Sequence, residues 1–544
     1  MIFRKTIYQA SLITMMTFAT VNMQAQGVVP AQKGDKTFTL EDLNFGGNNY
    51  RNMVAKNRWC TWWGDQLVRQ DVDACYLVNK NNGKETKLFG INDINQWIAP
   101  TKDIKIRALY NAEFPFAGKS IVMVSNGNKT YTIDFKKHRL ISEIDFQEDE
   151  SLLEANMQKN AFAYLKGSNL YVRAFQAANS QTMTKEKKSH DFRLTTDGSR
   201  EIVYGQSVHR DEFGITKGTF WSPNGERLAF YRMDQSMVTD YPQVDIPEIG
   251  FGHPETQSCI ATPAPDKYPM TGETSHQVTV GVFDCLTGKT IYLKAGDPTD
   301  RYFTNIAWSP DSKTVYMFEL NRDQNDCRLT AYSAETGEKT GEFYRETDEK
   351  YVEPLHPIMF LPWDGNSFIM QSRKDGYNHL YLCTLGKHGS RMASNTESLE
   401  IKQLTSGKWE VMEVIGFNTK HKSIIIASNE CSPIQRNIFV VDTKTGKRAM
   451  MDDCGKGWHN ATLSENGQYI YDNYSTPTVP RKIAIVNTEN GKRTAYFTAE
   501  NPWKGYNVPE YSCGTVKAAD GVTDLYWRMV KPTNFDPAKK YPTI

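Results

Sequence analysis

FWSPNGERLAFYR at 220–232 and AWSPDSKTVYMFEL at 307–320 follow one pattern. In each stretch an aromatic residue ends one apolar run, a turn of Pro, Asp, Asn, Ser or Gly follows, and an alternating run leaves the turn. Weaker copies of the pattern occur at 360–372, 416–428 and 462–474. Alternation of this kind around a turn predicts β-hairpins.

A second repeated pattern places a polar turn with a central glycine between two strand-like runs. Its copies are centred on Gly83, Gly288, Gly337, Gly386, Gly446 and Gly491. From Gly288 onward, successive copies are 45–60 residues apart. Glycine suits these turns because it tolerates the positive φ that tight hairpins require. Two linked hairpins in a unit of this length make a four-stranded antiparallel sheet, which is typical of a β-propeller blade.

The repeats therefore predict an all-β chain that forms a β-propeller. We count about eight blades, near 55–92, 93–137, 140–200, 215–296, 300–345, 355–406, 411–452 and 457–498. A seven-bladed ring is the alternative, because the second and third blades are faint. The fourth blade is long because a Pro- and Gly-rich insertion occupies 242–277. The stretch 148–165 fits either a helix or strands.

The composition excludes several classes of protein. The chain has 544 residues, 39% of them hydrophobic, and its 64 Lys and Arg balance 63 Asp and Glu. The near-zero net charge excludes a dominant nucleic-acid-binding surface, and the hydrophobic content excludes general disorder. The nine cysteines include no CxxC pair, which excludes a zinc ribbon. We expect no metal ion and no other cofactor.

The two ends of the chain differ from the propeller. Residues 1–25 have a basic start, a short apolar run and small residues near the end, as a secretory signal peptide does. This predicts export to the periplasm, the cell surface or the extracellular space, without a transmembrane span; an uncleaved membrane anchor is the alternative. We divide the remainder into a lead-in at 26–54, the propeller at 55–500, and the opening hairpin of a further domain at 501–544.

One segment, VYGQSVHRDEFGITKGTFWSP at 203–223, holds the candidate site residues. Asp211 and Glu212 are adjacent and directly precede a blade. They fit either a solvated turn or an anchor for a cation, such as the α-ammonium group of a peptide. One such ion pair at 4 Å contributes about 4 kcal/mol at an effective dielectric constant near 20, before desolvation. The neighbouring Arg210 is expected to pair with a carboxylate and so to orient the turn.

Several further stretches share a resemblance with 203–223. They are LAFYRMDQSMV (228–238), YPMTGETSHQVTVG (268–281), ETDEKYVEPLHP (346–357), QSRKDGYNHLYL (371–382), GKWEV (407–411), STPTVPRK (475–482) and NFDPAKKYP (534–542). Together they resemble the prolyl tripeptidyl peptidase and dipeptidyl peptidase IV branch of the prolyl oligopeptidase family. The resemblance implies an eight-bladed propeller followed by an α/β-hydrolase domain, of which 501–544 is a truncated first part.

The resemblance also implies an activity. The chain is expected to be the propeller portion of an exported serine exopeptidase that removes proline-ending tripeptides from free peptide N-termini; dipeptide release is the alternative. Glu212 matches the acidic residue that binds the substrate α-ammonium, and Asp211 falls on the neighbouring position. That neighbour is acidic in dipeptidyl members and basic in the tripeptidyl type, so product length stays open.

No catalytic residue is assigned, because the sequence has no GxSxG motif and the family's catalytic Ser, Asp and His lie beyond residue 544. This chain alone is therefore expected to be inactive. The expected partners are peptides with a free N-terminus rather than nucleic acid, and a homodimer is expected only of the full-length enzyme. Two alternatives stay open: an inert exported propeller that binds peptides or a protein partner, and a glycan-processing propeller enzyme.

Overall fold

The computed structural model describes residues 27–99, 106–156, 161–175, 189–246, 260–386, 399–452 and 456–544. The predicted signal peptide at 1–25 lies outside the described residues, so export stays a prediction. None of the helices in these ranges has the length and apolar character of a membrane-spanning segment. Two short helices, α1 (Leu40–Leu43) and α2 (Tyr50–Met53), precede the first sheet.

Eight antiparallel sheets follow one another along the chain. The first three contain β1 (Cys60–Trp63), β2 (Gln66–Gln70), β3 (Ala74–Val78) and β4 (Glu85–Gly90); β5 (Ile121–Asn126), β6 (Lys129–Asp134) and β7 (Arg139–Asp145); and β8 (Glu150–Asn156), β9 (Ala161–Lys166), β10 (Asn169–Phe175) and β11 (Ser189–Arg193). The fourth contains β12 (Ile202–Tyr204), β13 (Thr219–Trp221), β14 (Arg227–Asp234), β19 (Gln277–Asp284) and β20 (Lys289–Tyr292). Between β14 and β19 lie the paired short strands β15 (Asp240–Tyr241), β16 (Val244–Asp245), β17 (Thr262–Pro263) and β18 (Asp266–Lys267).

The second half of the chain supplies the other four sheets. They contain β21 (Arg301–Trp308), β22 (Thr314–Asn321), β23 (Asp326–Ser333) and β24 (Lys339–Thr347); β25 (Met359–Leu361), β26 (Asp364–Ser372), β27 (His379–Leu385) and β28 (Leu399–Gln403); β29 (Val411–Asn418), β30 (Ser423–Ser428), β31 (Asn437–Asp442) and β32 (Arg448–Met450); and β33 (Trp458–Leu463), β34 (Tyr469–Thr476), β35 (Val479–Asn487) and β36 (Arg493–Thr498). A last hairpin consists of β37 (Tyr511–Lys517) and β38 (Asp524–Val530).

The strand order within each sheet follows the chain. Six sheets have four strands in sequence order, the second has three strands, and in the fourth both β12 and β13 pair with β14. These sheets are the eight blades of a β-propeller. The prediction of an eight-bladed propeller is therefore confirmed, and the seven-bladed alternative is wrong. The stretch 148–165 forms β8 and β9, so its helix alternative is also wrong.

The second blade differs from its predicted range of 93–137. Helix α3 (Ile91–Ile98) occupies the start of that range, and β7 lies in the stretch that the sequence assigned to the third blade. The fully buried Ile94 packs into the shared core of the first two blades. The helix begins where the Asp93 carboxylate accepts the Gly90 N–H at 2.7 Å. This cap involves only the residues of the first helical turn. The repeated patterns describe strands and hairpin turns, so they did not indicate a helix here.

The first sequence pattern forms the turn that leads into the second long strand of a blade. In three blades a buried serine closes this turn. Ser222, Ser309 and Ser464 each accept, through Oγ, the backbone N–H five residues later at 3.0–3.1 Å. The backbone N–H of the same serine donates to the carbonyl of that later residue at 2.8–2.9 Å. The serine thus provides hydrogen-bond partners for the backbone N–H and C=O groups at the turn of the first hairpin.

The glycine pattern forms the turn between the third and fourth strands. Five of its glycines have φ of 68–74°: Gly83, Gly288, Gly337, Gly446 and Gly491. This left-handed conformation is strained for other residues, which explains the recurrence of glycine at the position. Gly386 follows β27, and most of the turn after it lies outside the described residues.

Contacts between the first and the last blade close the ring. The Trp62 Nε1–H donates to Thr462 Oγ1 at 3.0 Å, and the Asn466 N–H donates to the Asp65 carboxylate at 3.0 Å. A buried apolar cluster joins the same two blades and contains Leu67, Val78, Tyr471, Ile483 and Ile485. Each of these two blades is built from one continuous stretch of chain, so they share no strand. The ring is therefore closed by the hydrogen bonds and the side-chain packing between them.

The hairpin after the propeller leaves a large apolar surface uncovered. All seven residues of β38 are exposed, including Leu525, Trp527 and Val530. The turn of this hairpin is formed by Asp520, which accepts the N–H groups of Val522 and Thr523 at 2.8 Å, and by Gly521, which has φ of 68°. The lead-in pairs with the start of this hairpin through a bridge of Val29 with Tyr511, and with the segment before it through a bridge of Gln32 with Val508.

Candidate functional site

Asp211 and Glu212 lie on a short irregular turn between β12 and β13, which we call the acid turn (209–214). Four of its residues are non-glycine residues with φ of 54–63°: His209, Arg210, Asp211 and Phe213. Only Glu212, with φ of −66° and ψ of 167°, interrupts this series with an extended backbone. Left-handed conformations of this kind cost about 1–3 kcal/mol each and persist only where the surrounding structure holds them.

Buried apolar side chains hold both ends of the acid turn. Val208, Phe213 and Ile215 have 1%, 5% and 4% of their surface exposed. The ring of Phe213 packs on Tyr302 of β21 with a centroid separation of 5.0 Å. The hydrophobic side chains therefore fix the turn to the fourth and fifth blades, while the acidic side chains between them face solvent.

A pair of buried histidines, His209 of the acid turn and His276, joins the turn to the rest of the fourth blade. His209 Nδ1 is 2.8 Å from His276 Nε2, and the Phe303 N–H donates to His209 Nε2 at 3.3 Å. Since Nε2 of His209 accepts a hydrogen bond, its proton resides on Nδ1 and is donated to His276. Burial lowers the pKa of His209 well below its usual value, and burial together with the nearby Arg322 and Arg210 lowers the pKa of His276 to about 4. Both rings are neutral at pH 7.

Arg210 connects the acid turn to the short strands inserted into the fourth blade. Its guanidinium donates to the Asp266 carboxylate at 2.8 Å and to the Lys267 carbonyl at 3.2 Å. The same group lies over the Tyr268 ring, 4.6 Å from the centroid. The salt bridge confirms the expectation that Arg210 pairs with a carboxylate.

The two predicted site residues lie at the surface, and within the described residues neither forms an ion pair. Asp211 and Glu212 are both exposed. Within the described part of the chain, neither carboxylate has a hydrogen-bond or ion-pair partner. Asp211 also lines a pocket of about 320 Å³ beside Arg210, Lys267 and His276. Two adjacent negative charges on a rigidly held turn are suited to binding a cationic group.

Two residues that support the acid turn are not indicated by the sequence. His276 lies in the stretch 268–281, which contributes to the family resemblance but does not indicate a role for this histidine. Asn305 lies in the middle of β21, and its side-chain amide donates to the Phe213 carbonyl at 3.0 Å. Neither residue has a local sequence signal, because each contacts the turn across a large sequence separation.

Comparison with known proteins identifies relatives over most of the chain. The model of the dipeptidyl peptidase IV (DPP IV) N-terminal region matches residues 118–481. The crystal structure of a putative dipeptidyl aminopeptidase IV from Bacteroides ovatus is 42% identical, with a TM-score of 0.81, and the match covers 93% of this chain and 69% of that one. The crystal structure of Porphyromonas gingivalis dipeptidyl peptidase 4 shares the fold at 19% identity, with a TM-score of 0.69 and coverage of 94% and 69%.

Curated relatives extend the comparison to fungal proteins. A probable dipeptidyl-aminopeptidase B from Aspergillus oryzae is 25% identical over 468 residues, which are 78% of this chain and 48% of the relative. A protein of the same name from Emericella nidulans is 24% identical over 522 residues, which are 86% of this chain and 54% of the relative. The chain thus spans about half the length of the curated relatives it matches.

Proposed function

The chain belongs to the dipeptidyl peptidase IV N-terminal region family, and on that premise we propose that it is the propeller portion of an exported serine exopeptidase. The complete enzyme removes a tripeptide ending in proline from peptides with a free N-terminus. Dipeptide release is the second candidate, favoured by the acidic residue at position 211 and by the names of the relatives. Export is supported by the basic and apolar start of residues 1–25.

The observation that carries the proposal is the charge of the acid turn. Asp211 and Glu212 are exposed, and within the described residues neither is paired. A peptide α-ammonium group has an ordinary pKa of about 7.7–8.0, and adjacent carboxylates favour its charged form. Binding the ammonium at Glu212 fixes the distance from the N-terminus to the bond that is cleaved. Such an anchor selects short N-terminal products, as an exopeptidase requires.

The bond-breaking residues are assigned to a domain beyond this chain. In a serine peptidase the serine hydroxyl adds to the carbonyl carbon of the prolyl residue, a histidine takes the hydroxyl proton and gives it to the amine that leaves as the C–N bond breaks, and water hydrolyses the prolyl acyl-enzyme. The exposed apolar side chains of β38 support a covering domain, since contiguous apolar patches mark interaction surfaces. The closed ring of blades restricts access to short or unfolded peptides.

The substitution Glu212→Gln in the complete enzyme tests the anchor. Loss of the charge weakens binding of the α-ammonium, so kcat/KM for free-amine proline substrates should fall about 100-fold. The exposed Glu335 on a hairpin of the fifth blade offers a matched control, and Glu335→Gln should leave kcat/KM unchanged.

Chromogenic substrates in pairs, one releasing a tripeptide and one a dipeptide, identify the product length in the same assay. An unchanged kcat/KM in Glu212→Gln would remove this residue from the site. A complete protein that cleaves neither substrate would instead favour the inert propeller that binds peptides or a protein partner.

A further inference from the structure

Asn305 is placed where the acid turn meets the fifth and sixth blades. It lies at an irregularity of β21, where the pairing with β22 shifts register between Thr304 and Ala307. Its side chain is buried, with 7% of the residue exposed, and its φ of 54° is left-handed. Asparagine tolerates this backbone conformation better than most residues do.

The amide group of Asn305 joins two separate segments. Nδ2 donates to the Phe213 carbonyl at 3.0 Å, and it also donates to the Pro354 carbonyl. A third contact, at 3.2 Å, is with the hydroxyl of the preceding Thr304. Phe213 directly follows Glu212, and Pro354 belongs to the segment that connects β24 to β25. One side chain thus binds the backbone of the acid turn and that of its neighbouring segment at the same time.

The two joined segments are in direct backbone contact. A Cβ atom added to Gly214 would lie 2.1 Å from the Leu355 carbonyl oxygen, so the close approach of the two backbones leaves no room for a side chain at this position. The acid turn is also strained, because four of its residues are left-handed. A strained turn relaxes unless specific contacts oppose it. Asn305 supplies such a contact at the residue next to Glu212.

We propose that Asn305 is a positioning residue that holds the Glu212 carboxylate where it binds the substrate α-ammonium. The proposal rests on the proposed function, since it assigns Asn305 a role that acts entirely through Glu212. Loss of the amide donors frees the Phe213 carbonyl and lets the backbone of Glu212 shift. The consequence falls on substrate binding, because the residue that shifts is Glu212, which binds the α-ammonium group.

The test uses the complete enzyme and two substitutions. Asn305→Asp keeps the shape of the side chain but removes both N–H donors, and Asn305→Gly removes the side chain while keeping the left-handed backbone unstrained. Because the ammonium anchor is displaced rather than lost, we expect KM for free-amine proline substrates to rise about 10-fold in both variants, with little change in kcat. Asn378 is the matched control: it is a buried asparagine of the sixth blade that donates to the Val411 carbonyl at 2.7 Å. Asn378→Asp should leave KM unchanged.

A double substitution separates positioning from general destabilisation. If Asn305 acts only through Glu212, Glu212→Gln combined with Asn305→Asp should be no worse in kcat/KM than Glu212→Gln alone. Additive losses of kcat/KM in the double variant would overturn the role of Asn305. So would an unchanged KM in both Asn305 variants while Glu212→Gln is defective. In either case the assignment of Glu212 as the ammonium anchor would stand. If Glu212→Gln itself has no effect, the proposed function fails instead.

Discussion

Two buried histidines, His276 and His459, have pKa values shifted in opposite directions. Burial lowers the pKa of His276 to about 4. Burial also opposes protonation of His459, but the Asp472 carboxylate, 2.9 Å from its Nδ1, outweighs this effect and raises the pKa of His459. His459 also stacks on Tyr474, with a centroid separation of 4.4 Å. The same residue type therefore has its neutral form stabilised in the fourth blade and its protonated form stabilised in the eighth.

The sign of the pH dependence follows from these directions. The folded state binds fewer protons at His276 than the unfolded state does, so this contribution to stability is present above pH 6.5 and is lost as the pH falls through about 4. The contribution of His459 is fully present below its unfolded pKa and is lost as the pH rises through its raised folded pKa. The two histidines limit the stable pH range from opposite sides.

We expect the chain to lose stability on acidification through His276. Its loss between pH 6.5 and pH 4 is about 3 kcal/mol at most, and His209 adds in the same direction. Thermal unfolding at pH 7.5 and pH 4.5 measures the effect, and the difference in Tm between the two pH values should shrink in His276→Gln. The exposed His190 is the control, since His190→Gln should keep the full difference. An undiminished difference in His276→Gln would show that other groups cause the acid sensitivity.

Single elements of this propeller are stabilised by their turns. The serine that closes the first hairpin recurs in the fourth, fifth and eighth blades. Each of these serines also donates to an Asp or Asn side chain two residues later, at 2.6–3.4 Å. The Ser-x-Asp/Asn pattern is thus a turn signal with a physical cause, and it explains why the tryptophan-serine-proline stretches were the clearest repeats in the sequence.

Removing one of these serine hydroxyls should destabilise its blade. Ser309→Ala leaves the Thr314 N–H without its side-chain acceptor, which should cost about 1–2 kcal/mol because the serine is buried. Chemical denaturation measures the loss as a shift of the unfolding midpoint. Ser475 is exposed at the end of β34, and Ser475→Ala should stay within about 0.5 kcal/mol of the unchanged chain. Equal effects of the two substitutions would contradict a special role for the turn serine.

The whole molecule depends on the seam between its first and last blades. Leu67 is fully buried in that seam, packed against the cluster around Tyr471 and Ile485. Leu380, also fully buried, packs in the core of the sixth and seventh blades and offers a matched comparison. Both leucines lie in apolar cores, but only Leu67 joins stretches at the two ends of the propeller.

Leu67→Ala and Leu380→Ala should have similar costs and different consequences. Each should lower the free energy of unfolding by about 2–5 kcal/mol, because each leaves a cavity in a packed core. Only Leu67→Ala should open the ring, which native-state hydrogen exchange detects as faster exchange in β1–β4 and β33–β36. Equal acceleration in every blade, or faster exchange at the seam in Leu380→Ala, would contradict closure by this seam.

Much of the architecture was predictable because it is encoded locally. The hairpin turns at Ser222, Ser309 and Gly288 depend on residues within a few positions of each other, so their repetition predicted about eight blades in sequence order, and the structure excluded the seven-bladed alternative. The pairing of Arg210 with a carboxylate was predicted, but its partner Asp266, 56 positions away, was not. The predicted range of the second blade was wrong because the range begins with a helix, which the strand repeats do not indicate.

The sequence by itself determined a β-propeller of about eight blades and two adjacent acids before a blade, since turn chemistry and strand alternation act over a few residues. Only the tertiary structure decided how those acids are held. His276 lies 67 positions from His209, and Asn305 lies 92 positions from Phe213, yet each pair is joined by a hydrogen bond. Such contacts arise when neighbouring blades pack side by side, and a buried polar group takes whichever partner that packing brings within reach.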